Sequence, residues 1–139
     1  MRLYLDTNFV VYCIEGSSSL KEFCLNRLRE IESVPSASLI ASRLTRVEVL
    51  VKPMRLRDDA LVKRFAGFFE GNNVDLFDVS NAILDRALAI RVDTNLKLLD
   101  ALHVATAVEH AATLFLTADK EIASIGALGT VSFERIPAN

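Results

Sequence analysis

The chain has 139 residues, of which 51% are hydrophobic, so it is long and apolar enough to bury the core of one domain. Its formal net charge of −2 excludes the strongly basic composition by which many nucleic-acid-binding proteins are recognised. The two cysteines, Cys13 and Cys24, lack the spacing of a metal site and are interpreted as buried apolar side chains in a reducing cytoplasm.

The chain contains no candidate signal peptide and no candidate membrane span. Asp6 interrupts the apolar residues at the amino terminus, where a signal peptide needs an unbroken apolar core. The longest candidate for a span, residues 96–116, is broken by Lys97, Asp100, His103, Glu109 and His110. We therefore expect a cytoplasmic protein that does not associate with a membrane.

The first third of the chain predicts a strand, a helix and a second strand. Residues 3–5 form an apolar run too short for a helix, and they predict a strand that ends before Asp6-Thr7-Asn8. That triplet has the residue types of turns and helix caps. A capping box at Ser19 predicts a helix that ends near Ser33, and residues 38–41 predict the second strand.

The middle of the chain predicts two helices and one strand. Residues 44–51 form the first helix, which Pro53 is expected to end. The second helix begins at Asp58 and extends to Gly71. Residues 74–79 then alternate apolar and acidic side chains, which is the pattern of a half-exposed strand.

The last part of the chain predicts two helices followed by two strands. Ser80 caps a helix whose inward side chains, judged by helical spacing, are Ile83, Leu84, Ala87, Leu88 and Ile90. An alanine-rich helix covers residues 95–112. Strands cover residues 113–117 and 131–135, with a turn or a short helix at Asp119 between them.

Strands that alternate with helices are typical of parallel β-α-β units. The sequence therefore predicts the α/β class, with a parallel sheet and helices on both of its faces. No internal repeat, low-complexity stretch or linker divides the chain. We accordingly expect a single domain.

Four acidic residues lie within or beside apolar runs, where carboxylates are unfavourable: Asp6, Glu48, Asp100 and Asp119. Burial disfavours the ionised form of a carboxylate, and two like charges about 4 Å apart repel by roughly 4 kcal/mol at an effective dielectric constant near 20. A divalent cation removes both costs. If the four side chains converge, they predict a site for Mg²⁺ or Mn²⁺, whose preferred ligands are oxygen atoms.

The predicted elements can bring these four carboxylates to one edge of the sheet. Asp6 and Asp119 follow predicted strands at their carboxyl ends, where open parallel sheets bind ligands. Glu48 and Asp100 lie near the starts of predicted helices, where the helix dipole favours negative charge. The four side chains would then line one acidic pocket.

Each of the four carboxylates also has a purely structural interpretation. Glu48 completes a capping box that starts at Thr45. Asp6 fits a turn, and Asp119 fits a helix cap. Asp100 is the hardest to place in solvent, because its neighbours are apolar. Six other aspartates lie in polar surroundings and are assigned to the surface: Asp58, Asp59, Asp75, Asp78, Asp85 and Asp93.

Four short segments, in this order and at this spacing, resemble the PIN-domain family and, within it, the VapC-type toxin endoribonucleases. They are Leu5-Asp6-Thr7-Asn8, Thr45-Arg46-Val47-Glu48-Val49-Leu50, Asp100-Ala101-Leu102-His103-Val104-Ala105-Thr106-Ala107 and Leu116-Thr117-Ala118-Asp119-Lys120. No single segment is specific, but the ordered set extends over essentially the whole chain. Residues 1–139 are accordingly interpreted as one PIN domain.

The resemblance implies a doubly wound, mostly parallel sheet. It also implies a Mg²⁺- or Mn²⁺-dependent endoribonuclease that is the toxin of a type II toxin–antitoxin system. By position, Asp6 and Asp100 would be the main metal ligands, and Glu48 and Asp119 would complete the catalytic and metal-binding set. The implied partners are an RNA substrate, a small cognate antitoxin and a second copy of the chain in a homodimer.

Further polar residues are assigned around this site. Asn8 and Thr117 match positions that border such sites in the family. RNA also requires cationic contacts, for which Arg46 and Lys120 are candidates, the former within a basic stretch at residues 43–64.

Two other functions remain open from the sequence. A catalytically silent PIN-like module could bind RNA or a protein, although it would have no reason to keep four mutually repelling acids. A phosphatase with an aspartyl nucleophile is disfavoured, because Asn8 stands where such an enzyme has a second aspartate after Asp6. The roles of His103 and Glu121 are undefined, and His103 is interpreted as a packed or hydrogen-bonded structural residue.

Overall fold

The computed structural model describes residues 1–137, which form six strands and seven helices. The strands are β1 (Arg2–Leu5), β2 (Ser38–Ser42), β3 (Val74–Phe77), β4 (Leu114–Thr117), β5 (Ala127–Leu128) and β6 (Val131–Arg135). The helices are α1 (Thr7–Glu15), α2 (Ser18–Glu32), α3 (Arg43–Arg55), α4 (Asp59–Gly71), α5 (Asn81–Asp93), α6 (Leu98–Glu109) and α7 (Lys120–Ala123).

All six strands join one sheet in the order β3-β2-β1-β4-β6-β5. Every neighbouring pair is parallel except β5 with β6, so the prediction of a doubly wound, mostly parallel α/β sheet is confirmed. From β1 the chain extends to one side of the sheet through β2 and β3, and it then crosses to the other side at β4. The switch point therefore lies between β1 and β4, where sheets of this kind bind ligands.

The central strand β1 is covered on both faces, because successive side chains of a strand point in opposite directions. Leu3 and Leu5 pack into a cluster with residues of α1, α2, α3 and α4. Tyr4, which lies between them, packs into a second cluster with residues of α5 and α6. The carboxyl end of β1 is thus held between two layers of helices.

The helix caps correct two predictions made from the sequence. The cap of α2 is Ser17, whose hydroxyl accepts a hydrogen bond from the Leu20 amide, so the capping box at Ser19 was wrong by two residues. The cap of α3 is Ser42, not Thr45. The capping-box interpretation of Glu48 is therefore wrong, because Glu48 lies in the second turn of α3.

Several element boundaries also differ from the predictions. Helix α1 was not predicted, since its β-branched pair Val10 and Val11 is more typical of a strand. Pro53 lies inside the last turn of α3 rather than beyond its end. The helix expected from residue 95 begins only at Leu98. No helix within residues 1–137 combines the length and the apolar composition that a membrane crossing requires.

Helix α5 presents an apolar face to the surface. Ile83, Ala87 and Ile90 point inward as predicted, with 0%, 1% and 7% exposure. Leu84 and Leu88 were also predicted to be inward, but they are 47% and 66% exposed. The prediction was wrong because α5 packs against α6 only along the narrower face that Ile83, Ala87 and Ile90 form.

Two glycines, Gly67 and Gly126, are expected to change the stability of the protein in opposite directions when each is replaced by alanine. Gly67 lies inside α4 with open space where a Cβ would be, so Gly67→Ala should raise the free energy of unfolding by about 0.4–1 kcal/mol. Gly126 has a φ of +85°, so Gly126→Ala should lower it by roughly 1 kcal/mol. Urea unfolding measures both values, and equal effects of the two substitutions would contradict this explanation.

Candidate functional site

Asp6 is a buried carboxylate at the switch point of the sheet. It follows β1 and caps α1, and its side chain is held by three donors. The Thr7 amide donates to Oδ1 at 2.9 Å, and the Thr117 hydroxyl and the Asn8 side-chain amide donate to Oδ2 at 2.7 and 3.2 Å. Burial raises the pKa of Asp6, and the charge of His103 together with the hydrogen bonds from Thr117 and Thr7 opposes the rise.

Glu48 projects from α3 toward the same place. Its Oε1 accepts a hydrogen bond from the Thr7 hydroxyl at 2.8 Å and another from Nε2 of His103 at 2.7 Å. Partial burial would raise the pKa of Glu48, but the contacts with His103 and Thr7 outweigh burial and lower it. Glu48 is therefore held as an anion in a fixed orientation.

His103 links Glu48 to the opposite face of the central strand. The ring is 2% exposed, and its Nδ1 lies 2.6 Å from the hydroxyl of Tyr4. Because a carboxylate only accepts, Nε2 carries a proton, and in the neutral ring Nδ1 accepts from the Tyr4 hydroxyl. Burial lowers the pKa of His103, but the hydrogen bond to Glu48 and the charges of Asp6, Glu48 and Asp100 raise it overall.

The remaining two acids come from α6 and from the end of β4. Asp100 lies in the first turn of α6, and its pKa is raised by burial and then by the charges of Asp119, Asp6 and Glu48. Asp119 caps α7, where its Oδ1 accepts from the amides of Glu121 and Ile122 at 2.8 and 3.3 Å. Asp100 therefore lies close enough to the other three acids for their charges to disfavour its ionised form.

A single surface cavity of about 380 Å³ brings the four acids together. It is lined by Asp6, Thr7, Asn8, Val11, Tyr12, Glu48, Asp100, His103 and Asp119. The cavity lies at the carboxyl ends of β1 and β4, as the sequence predicted for its two strand-end acids. The six aspartates that were assigned to the surface are all exposed, and none of them lines this cavity.

The donor set of this cavity fits a hard divalent cation that keeps part of its water shell. All four acids offer oxygen atoms, which suits Mg²⁺ and Mn²⁺. Within residues 1–137, no group of three or more His, Cys, Asp or Glu side chains is arranged to hold a metal ion as it stands. Mg²⁺ commonly retains several waters and is bound directly by only one or two carboxylates, and the four acids that line the cavity offer that donor chemistry.

The residues predicted to surround the acids differ in their placement. Asn8 lines the cavity, and its Oδ1 accepts from the Ala118 amide at 3.0 Å. Thr117 is fully buried and does not line the cavity, but its hydroxyl donates to Asp6, which does. Lys120 is exposed beside Asp119 and lines an adjoining cavity with Glu121. Arg46 is exposed on α3 and lines neither cavity.

Two contributors were missed by the sequence analysis. Thr7, which was treated only as part of a turn, donates to both Asp6 and Glu48. Tyr4 is the second, because a tyrosine in a buried strand gives no sign of its hydrogen-bond partner. The adjacency of Thr7 to Asp6 was the only signal in the sequence for this role, since Asp6 ends the predicted strand and Thr7 begins the helix whose start lines the cavity.

The raised pKa of His103 predicts how stability depends on pH in metal-free protein. A folded-state pKa above the unfolded value of about 6.5 gives stability that is present below pH 6.5 and is lost as pH rises through the folded pKa. The free energy of unfolding in EDTA should therefore fall as the pH rises above about 6.5, with a slope of at most about 1.4 kcal/mol per pH unit. His103→Gln should abolish this slope, and an unchanged slope in that variant would assign it to other groups.

The profile of the PIN domain family matches residues 3–128. A comparison with curated protein sequences gave no significant match.

Three solved structures are similar to this chain. A toxin–antitoxin complex from Klebsiella pneumoniae shares 24% identity at a TM-score of 0.70 and covers 93% of this chain and 94% of its own. VapBC2 from Rickettsia felis, bound to a promoter DNA fragment, shares 16% identity at 0.76 and covers 97% and 98%. VapC20 from Mycobacterium tuberculosis, described as a sarcin–ricin loop cleaving toxin, shares 16% identity at 0.69 and covers 94% and 98%. At such low identities the likeness to these structures shows the fold alone. Because the family profile matches most of the sequence, the chain belongs to the PIN-domain family.

Proposed function

We propose that this PIN domain is a Mg²⁺- or Mn²⁺-dependent endoribonuclease and the toxin of a type II toxin–antitoxin pair. One observation carries the proposal: Asp6, Glu48, Asp100 and Asp119, which are far apart in sequence, line one cavity at the switch point of the sheet. A fold needs no such cluster for stability, because like charges brought together repel. The cluster is therefore best explained by a cationic ligand.

Asp6 and Asp100 are the proposed main ligands of the cation, and Glu48 and Asp119 complete the set. When bound, such an ion lowers the pKa of a coordinated water and neutralises charge at a scissile phosphate. The chain itself supplies orientation. The donors of Thr7, Thr117 and Asn8 fix the Asp6 carboxylate, and His103 with Thr7 keeps Glu48 ionised.

His103 is not the proposed general base. Both of its ring nitrogens are engaged, one by Glu48 and one by Tyr4, and the ring is almost fully buried. A base must reach the proton that it removes. The proposal therefore assigns His103 to positioning Glu48.

The proposed partners follow from the family and from the solved neighbours. VapC-like PIN domains are generally nucleases, and one neighbour is described as cleaving the sarcin–ricin loop, which supports an RNA substrate. Two other neighbours are toxin–antitoxin assemblies, which supports a cognate antitoxin. A cytoplasmic location is part of the same proposal, because both RNA and antitoxin would be met there.

A catalytically silent PIN module is the second candidate function. It is favoured by the finding that, among the described residues 1–137, no three ligand-type side chains are already arranged around an ion. In that case the cavity would bind RNA or a protein without cleaving it. The two functions differ in whether the purified protein turns over RNA.

Cleavage of labelled structured RNA by the purified protein tests the proposal. Wild type should cleave in Mn²⁺ and not in EDTA, and Asp6→Asn should reduce the rate by at least about 100-fold, because it removes a charge from the cation site. The matched control is Asp85→Asn, the same change at an exposed aspartate of α5, which should leave the rate unchanged. Undiminished cleavage in EDTA or by Asp6→Asn would refute the metal mechanism, and no cleavage by wild type on any RNA would favour the silent module.

The proposed homodimer has a candidate surface on α5. Leu84, Leu88 and Val92 lie four residues apart on this helix and are 47%, 66% and 76% exposed. Contiguous exposed apolar surface of this kind marks interaction sites. Helix α5 does not line the acidic cavity, so a second copy could cover it and leave the cavity open.

Light scattering coupled to gel filtration tests this surface. Wild type should be dimeric, and Leu88→Glu should make it monomeric, because a buried unpaired carboxylate is costly. The control is Met54→Glu, which changes a 60% exposed apolar residue on α3 and should leave the dimer intact. A monomeric wild type, or dissociation by Met54→Glu alone, would contradict the assignment to α5.

A further inference from the structure

A second cavity, of about 330 Å³, adjoins the acidic one, and three of the side chains that line it are cationic. It is lined by Lys97, Asp100, Ala118, Asp119, Lys120, Glu121 and Arg135. Asp100 and Asp119 line both cavities, so the two are contiguous. The charged side chains are thus mainly acidic in the first cavity and of both signs in the second.

The three cations come from three different elements that also position the acids. Lys97 is the N-cap residue of α6, whose first turn carries Asp100. Lys120 follows Asp119 at the start of α7. Arg135 ends β6 and lies opposite Thr117 of β4 in the parallel register. The same backbone that places the acids therefore places the cations beside them.

None of these three cationic side chains makes a hydrogen bond or an ion pair with any part of residues 1–137. Other arginines of the chain do: Arg27 pairs with Glu30 and Glu134, Arg43 with Asp78, and Arg86 with Glu109. Asp100, Asp119 and Glu121 line the same cavity but do not pair with the cations. The cations consequently keep their hydrogen-bonding capacity for another anion.

The start of α6 adds to this positive character. Its N-cap is Lys97, which has no acceptor atom, so no side chain caps the helix. In contrast, the side chains of Asp6, Ser17, Ser42, Asp58 and Ser80 cap the other helices of nine or more residues. The first amide groups of α6 are left available to an anion.

We propose that this second cavity is a phosphate subsite that holds a backbone phosphate of the RNA strand next to the one at the acidic site. The inference rests on the proposed ribonuclease function, and it assigns substrate contacts to Lys97, Lys120 and Arg135. The acids alone repel RNA, and the three unpaired cations offset that repulsion where the strand leaves the acidic cavity. Among them, only Lys120 was indicated by the sequence.

A rival surface exists on α3 and α4, where Lys52, Arg55 and Lys63 are exposed and likewise unpaired among the described residues. This group has the same composition, two lysines and one arginine, but it lines neither cavity. It therefore provides a charge-matched comparison. The two groups predict different paths for the RNA.

Salt-dependent binding of a fluorescein-labelled single-stranded RNA in EDTA tests the subsite without requiring turnover. Each lost phosphate contact reduces the slope of log affinity against log salt concentration by about 0.7, so the triple variant Lys97→Ala/Lys120→Ala/Arg135→Ala should reduce it by roughly 2. Lys120→Ala alone should reduce it by about 0.7. The triple variant Lys52→Ala/Arg55→Ala/Lys63→Ala should keep the slope of the wild type, and circular dichroism verifies folding of every variant.

Each other outcome overturns the subsite. An equal or larger loss in the α3–α4 variant assigns the RNA path to that surface. An unchanged slope in the subsite variant, with an increased affinity for Mn²⁺, shows that the three cations only screen the acids. If the subsite variant loses binding of inorganic phosphate by calorimetry but keeps the RNA slope, the cavity is a site for a small anion.

The same variants separate this inference from the ribonuclease proposal. If wild type cleaves RNA and the subsite variant shows the expected loss of slope with a raised KM, both stand. If wild type does not cleave any RNA but the slope still falls, the ribonuclease proposal fails while the cavity is retained as an RNA-binding site. If cleavage occurs with an unchanged slope and KM, only the subsite fails.

Discussion

The structure depends on how one buried carboxylate is accommodated at the end of the central strand. Asp6 is 5% exposed and would be costly there without compensation. Three donors compensate it, and one of them, the Thr117 hydroxyl, belongs to the neighbouring strand β4. The position of the acid is thus set by the register of two central strands rather than by a loop. A site built on such rigid elements can hold its geometry without its ligand.

The second acid is positioned by a chain of contacts that crosses the molecule. Tyr4 lies on one face of β1, the His103 ring lies beside it on α6, and Glu48 reaches the ring from α3. Burial opposes the charge of both groups, but the contact between Glu48 and His103 lowers the pKa of Glu48 and raises that of His103, so the pair is partly neutralised within the protein. Within residues 1–137 Asp100 has no such partner, and its pKa is raised first by burial and then by the charges of the other three acids. The uncompensated charge at Asp100 is what a bound cation would relieve.

The sequence predicted the features that depend on neighbouring residues, but it did not predict those that depend on how the helices and strands pack together. The sequence predicted five of the six strands, and it predicted the edge of the sheet where Asp6 and Asp119 lie. A few consecutive residues are enough to recognise a buried strand and the acid that follows it. Helix α1 was missed because Val10 and Val11 favour a strand in isolation. Leu84 and Leu88 were predicted inward because spacing alone does not show how wide a face α6 covers. The contacts of Thr7 and Tyr4 join residues about 40 and 100 positions away, at Glu48 and His103, which no local pattern reports.

The central claim is that the four converging carboxylates form one cation-binding unit, and Mn²⁺ binding followed by electron paramagnetic resonance tests it most directly. Wild type should bind Mn²⁺, and the affinity should fall at least tenfold in Asp6→Asn and in Asp100→Asn, because each removes charge from the same cavity. Asp85→Asn should bind as wild type does, since its carboxylate is exposed on α5. Mn²⁺ binding that is absent in wild type, or that is equally strong in all four proteins, would contradict the account.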